Sequence, residues 1–233
     1  MENLEKISNP KETQEELKTP QELKLEEIRK DVKETCDRLG MPIDPGIEET
    51  VVMFKANGLP TSMSCEGHPD RGLIAPSITV SAPGEPDERY VGEREIIKEV
   101  AEKYNVTTEA VERAYNEEAW KEAMRKTSDI EETEEYKKWD EENKVLLEKM
   151  HTLIDEFYQD REVEPDRKLK IIAGAGHFDV HNGREDYQSV IEKKQEFTEE
   201  EIKERAKKVL KYRDEMNDFT DFLKEKFGES FSN

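Results

Sequence analysis

The stretch "DPGIEETVVMFKANGLPTSMSCEGH", residues 44–68, changes its period halfway along. Ile47, Val51 and Phe54 recur at helical spacing, and Gly58 stands where such a helix would stop. Pro45 suits a first helical turn, and Asp44 before it can cap the open amides. Beyond Gly58, "TSMSC" (61–65) reads as a short strand. "PSITVSA" (76–82) reads as a second, with Ile78 and Val80 on one face. A helix running into a strand and a return strand calls for a sheet with helices laid on it. The expected fold is therefore α+β, a small sheet of three to five strands covered by long amphipathic helices.

Working outward, residues 1–20 are polar and aperiodic and are expected to be a disordered lead. The rest, 21–233, is expected to be a single domain. Leu25, Ile28, Val32 and Leu39 form a helical stripe that Gly40 would end. "EIIKEVAEKYNVTTEAVERAYNEEAW" has the layout of a helix-turn-helix, so 93–126 is expected to be an inserted helical hairpin. In it Ala101 lies on the first helix, Asn105 and Val106 form the turn, and Val111 and Ala114 pack back. Its second helix carries Glu109, Glu112, Glu117 and Glu118 against Arg113, which repels phosphates. A long helix follows over 131–159, with Trp139, Leu146, Met150, Leu153 and Phe157 on its inner face. Leu169–Ala173 reads as a buried strand, and "DYQSVIEKK" (186–194) as another. Thr198 and Glu201 have the spacing of a capping box, opening a last helix with Ile202, Ala206, Val209, Met216, Leu223 and Phe227 inward.

The 233 residues carry 58 acidic against 37 basic side chains, a net charge of −21. That field argues against nucleic acid and anionic membranes and favours a cation or a basic protein partner. No run of about 18 apolar residues is present to span a membrane, and no secretory leader is evident. Cys36 and Cys65 do not make a disulfide scaffold, so a reducing cytoplasm is the expected setting.

Two clusters could do chemistry. In "SCEGHPDRG" (64–72), Cys65 could serve as nucleophile or metal ligand, and His68 as acid–base group or ligand. Ser64, Glu66 and Arg71 would contact a ligand, Arg71 as an anion contact. In "GAGHFDVHN" (174–182), an extended backbone would put His177, Asp179 and His181 on one face. His177 would then be a second acid–base group and Asp179 its orienting partner. Cys65, His68, His177 and His181 also make the ligand set of a tetrahedral zinc site split across two strands. Each residue taken alone has a plainer reading, with Cys65 a small buried hydrophobe, His68 an exposed loop residue before a proline, and His177 and His181 the polar face of an edge strand.

The run from residue 42 to 82 resembles a family of uncharacterised bacterial and phage proteins, with a helix, a glycine, a threonine-bearing strand, an SCEGH-type loop and a second strand. That resemblance implies no activity. The "TSMSCEG" turn is distantly similar to the serine–cysteine–serine–glycine turn of the tRNA wybutosine-synthesis methyltransferase family. Glu66 replaces the second serine of that turn, and no methyltransferase role is carried over. Three functions follow as expectations. The first is a site for a small polar ligand, or for hydrolysis or group transfer, joining the two clusters. The second is a structural zinc protein, and the third an acidic, non-enzymatic interaction protein.

Overall fold

A computed structural model describes residues 18–37, 39–182 and 197–231. The strand expected over 186–194 lies outside them, as does most of the 1–20 lead. Seven helices and four strands are found among the described residues: α1 (Pro20–Glu34), α2 (Glu48–Ala56), β1 (Thr61–Cys65), β2 (Ser77–Val80), α3 (Glu93–Tyr104), α4 (Thr108–Glu112), α5 (Glu117–Thr127), α6 (Glu134–Tyr158), β3 (Lys170–Ala173), β4 (Phe178–His181) and α7 (Glu199–Glu229). The architecture is α+β, as the change of period in the first stretch implies.

The sheet is antiparallel throughout, in the order β1-β2-β4-β3. Its centre joins segments about a hundred residues apart, because Ile78 sits opposite Val180 and Val80 opposite Phe178. These four side chains share one face and are buried. On that face α2, α6 and α7 close a core with Val51, Phe54, Met150, Phe157, Met216 and Phe219. Phe219 meets the edges of Phe54 and Phe157 at centroid distances of 6.0 and 5.1 Å, a T-shaped arrangement that aromatic quadrupoles favour. Thr50 of α2 and Thr220 of α7 share a buried hydroxyl hydrogen bond of 2.8 Å.

Several helix ends differ from their expected places. α1 stops at Glu34, because Cys36 turns into a bridge with Pro42 and leaves Leu39 exposed instead of on the inner stripe. α2 begins at Glu48 and has no side-chain cap, because the Asp44 carboxylate is used elsewhere. The capping box at Thr198 and Glu201 is present as expected.

Residues 93–126 form three helices and not a hairpin of two. Thr107 caps α4, which is only five residues long, and Ala114 then takes a left-handed φ of 54°. Asn116 caps α5 afresh. Val100, Ala101, Val111, Ala119 and Ala123 make a separate small core there, while Ala114 is exposed. Paired segments flank these three helices, through Val91 N to Glu131 O and Thr133 N to Arg89 O.

One buried charge ties α6 to α7. Glu215 is fully buried; Tyr158 Oη donates to it at 3.0 Å, and Arg161 and Arg167 donate at 3.4 and 2.9 Å. Burial, and the Glu215 charge, push the Tyr158 phenol far above its ordinary range, so it stays a donor. Leu169 N donates to the same hydroxyl at 2.8 Å, which docks the start of β3. Truncating Glu215 strands a buried phenol, while both arginines can turn toward water. Glu215→Ala is therefore expected to cost about 3 kcal/mol in a denaturant titration, the lower end for a broken buried ion pair. A loss below about 1 kcal/mol would mean that the network contributes little.

Candidate metal centre

Strand β1 ends at Cys65, and the chain turns back through Glu66, Gly67 and His68. The turn needs glycine. Gly67 has a φ of 79°, and a Cβ there would lie 2.3 Å from the carbonyl oxygen of Ile74. His68 N donates to Leu73 O at 2.8 Å and closes the loop. The segment before α2 lies against this turn, so Asp44 faces the loop and not its own helix. Its Oδ2 accepts from Glu66 N at 3.2 Å and sits 3.4 Å from His68 Nε2.

Asp44, Cys65 and His68 thus converge. Their ligand atoms lie within 4.8 Å of one another, and all three residues are half-buried. No other such group of three is found among the described residues. Two ligands on one zinc ion, each about 2.0–2.1 Å from it at a tetrahedral angle, stand about 3.4 Å apart. The Asp44–His68 separation matches that edge. The donors are a thiol, an imidazole and a carboxylate, the three kinds that zinc accepts.

The second sequence cluster does not join them. Cys65, Ser77 and His181 occupy one row across the sheet, two strand spacings or about 10 Å from first to last. His181 is buried, and its Nδ1 lies 3.0 Å from the Asn182 carbonyl. His177 stands four residues away, at the exposed tip of the β3–β4 turn, about 13 Å further along the strand. Its Nδ1 faces Ala175 O at 3.0 Å. Asp179 accepts from Thr79 Oγ1 at 2.5 Å across the β2–β4 pair and does not orient His177. The pairing of β2 with β4 brings the two stretches into one sheet, but the register separates their histidines. The four-ligand set Cys65, His68, His177 and His181 is not assembled.

Of the expected ligand contacts, Glu66 is spent on structure. Its carboxylate accepts from Gly46 N at 2.7 Å and pairs with Arg213 at 2.8 Å. Arg71 is exposed and paired with Asp70 at 3.5 Å. Ser64 lines a cleft of about 390 Å³ that also contains Cys36, Asp37, Asp44, Lys55 and Ser62, so of the cluster Asp44 faces this concavity. Asp44 has the sequence signature of a helix cap, and the approach of the 66–68 turn redirects it to the loop. Arg213 gave no sequence signal, since a charged residue on a solvated helix is ordinary.

The electrostatics oppose a free nucleophilic thiolate. Burial pushes the Cys65 thiol above its ordinary range, the Asp44 and Glu66 carboxylates add to the rise, and the Gly67 amide and Arg71 offset only part of it. A cation at the cluster would reverse that balance by favouring the thiolate.

No protein-family model, curated protein or solved structure matches this chain.

The thiol's position gives a reactivity test on metal-free protein. A raised pKa means that Cys65 is neutral, and slow to alkylate, at a pH where ordinary thiols begin to react. At about pH 8, below the usual thiol pKa of about 8.5, limiting iodoacetamide is expected to label exposed Cys36 and largely spare Cys65. In Cys36→Ser protein the Cys65 rate should still be climbing above about pH 9. Equal labelling of both cysteines at neutral pH, read by peptide mass spectrometry, would contradict this.

Proposed function

We propose that this protein binds a divalent metal ion, zinc by its donor set, between Asp44, Cys65 and His68. The carrying observation is the convergence of these three ligand atoms within 4.8 Å at the end of one strand. The reading keeps Cys65 and His68 from the expected zinc set and replaces the two distant histidines by Asp44. Three protein ligands with a further position left for water is the pattern of catalytic zinc sites, whereas structural sites are closed by four. The cleft that Asp44 lines, with its hydroxyls and Lys55, offers room for a small polar substrate. Hydrolysis or group transfer is the chemistry that an open zinc position supplies, by activating water or polarising a carbonyl or phosphoryl oxygen. The surplus of acidic over basic residues, 58 against 37, raises the local concentration of cations generally.

Elemental analysis after zinc loading and dialysis tests the reading. About one zinc per chain is expected for the unaltered protein. Cys65→Ser and His68→Ala should each hold far less, and Cys36→Ser and His177→Ala should hold as much as the unaltered protein. Protein that loads no zinc, or that loses it on His177→Ala, contradicts the assignment.

A further inference from the structure

The turn between Cys65 and His68 is held from outside by α7, and one residue does most of the holding. Arg213 Nε donates to Glu66 O at 2.8 Å, and its Nη2 donates to Gly67 O at 2.8 Å. Glu66 and Gly67 are the two residues that separate the two ligands. The same guanidinium pairs with the Glu66 carboxylate at 2.8 Å, and that carboxylate accepts from Gly46 N at 2.7 Å. Gly46 lies two residues after Asp44, the third ligand. Arg213 is therefore linked to every segment that carries a ligand: directly to the Cys65–His68 turn, and through Glu66 to the Asp44 segment. Arg205, eight residues earlier on α7, grips the far side of the loop by donating to Pro69 O at 2.6 Å and Gly72 O at 2.8 Å, and reaches His68 O at a longer 3.3 Å.

We infer that Arg213 is a positioning residue for the metal centre, setting the mutual geometry of Asp44, Cys65 and His68 through the Glu66–Gly67 backbone and the Glu66 carboxylate. The inference rests on the metal assignment above. Its chemistry is that of a planar fork, which holds a carboxylate and two carbonyls at once with a charge that is never lost. A lysine keeps the charge but has no planar fork. Arg213 touches no proposed ligand atom, so its effect on the metal passes through the loop.

The test compares Arg213→Ala, Arg213→Lys and Arg205→Ala with the unaltered chain. Zinc affinity is measured by chelator competition, and the cobalt(II)-loaded forms by their visible and thiolate charge-transfer absorption. Arg213→Ala is expected to lose affinity about 10- to 100-fold, the usual range when a group supporting a ligand is removed, and to alter the cobalt spectrum. Arg213→Lys should recover thermal stability but little of the affinity. Arg205→Ala, which removes one long contact to the His68 carbonyl and otherwise only contacts beyond it, should lose less affinity than Arg213→Ala. If Arg213→Ala fails to fold, Arg213→Lys and Glu66→Gln carry the test, each expected to show the affinity loss in a folded protein. Folded Arg213 variants with unchanged affinity and spectrum would overturn the positioning role while leaving the metal centre standing. An unaltered chain that takes up neither zinc nor cobalt would overturn both.

Discussion

The antiparallel pairing of β2 with β4 is the constraint on which the rest of the molecule depends. It joins two segments about a hundred residues apart in a single register, with Ile78 against Val180 and Val80 against Phe178. Those β-branched and aromatic side chains give the centre of the sheet an apolar face, and α2, α6 and α7 are held by burying it. A slip of one residue in β4 would turn Asp179 and His181 into that core and expose Phe178 and Val180. With the register fixed, β1 is fixed beside β2, and its last residue, Cys65, comes out at the sheet's corner opposite Ser77.

From that corner the candidate site is built by loops and not by the sheet. A strand offers alternate side chains about 7 Å apart on one face, too widely spaced for two ligands of one small ion. The reverse turn at Gly67 solves this by folding His68 back toward Cys65. The price is a loop whose carbonyls point outward without strand partners, and the arginines of α7 supply the donors. The same helix carries Glu215, buried among Tyr158, Arg161 and Arg167, so one 31-residue helix fastens both the core and the loop.

Much of this was legible in the residues because the signals are local. The switch from helical to alternating spacing around Gly58, the stripe from Trp139 to Phe157, and the Thr198–Glu201 cap each need only a few neighbouring positions. Cys65 and His68 were legible for the same reason, being three residues apart across a glycine. What depended on pairing was not. Whether His177 or His181 meets Cys65 is decided by the β2–β4 register and the length of the β3–β4 turn, neither of which is encoded near those residues. Asp44 looked like a cap because an acidic residue before a proline and a helix usually is one, and only the approach of the 66–68 turn redirects it. The second helix of the hairpin expected over 93–126 breaks at Ala114, and the two caps, Thr107 and Asn116, each start a helix of their own.

The central claim is that a thiolate, an imidazole and a carboxylate from two separate segments hold one ion. X-ray absorption at the zinc edge reads that shell directly. The account predicts one sulfur neighbour at about 2.3 Å with nitrogen and oxygen neighbours at about 2.0–2.1 Å, and loss of the sulfur signal in Cys65→Ser protein. A shell of nitrogen and oxygen alone in the unaltered protein would contradict it.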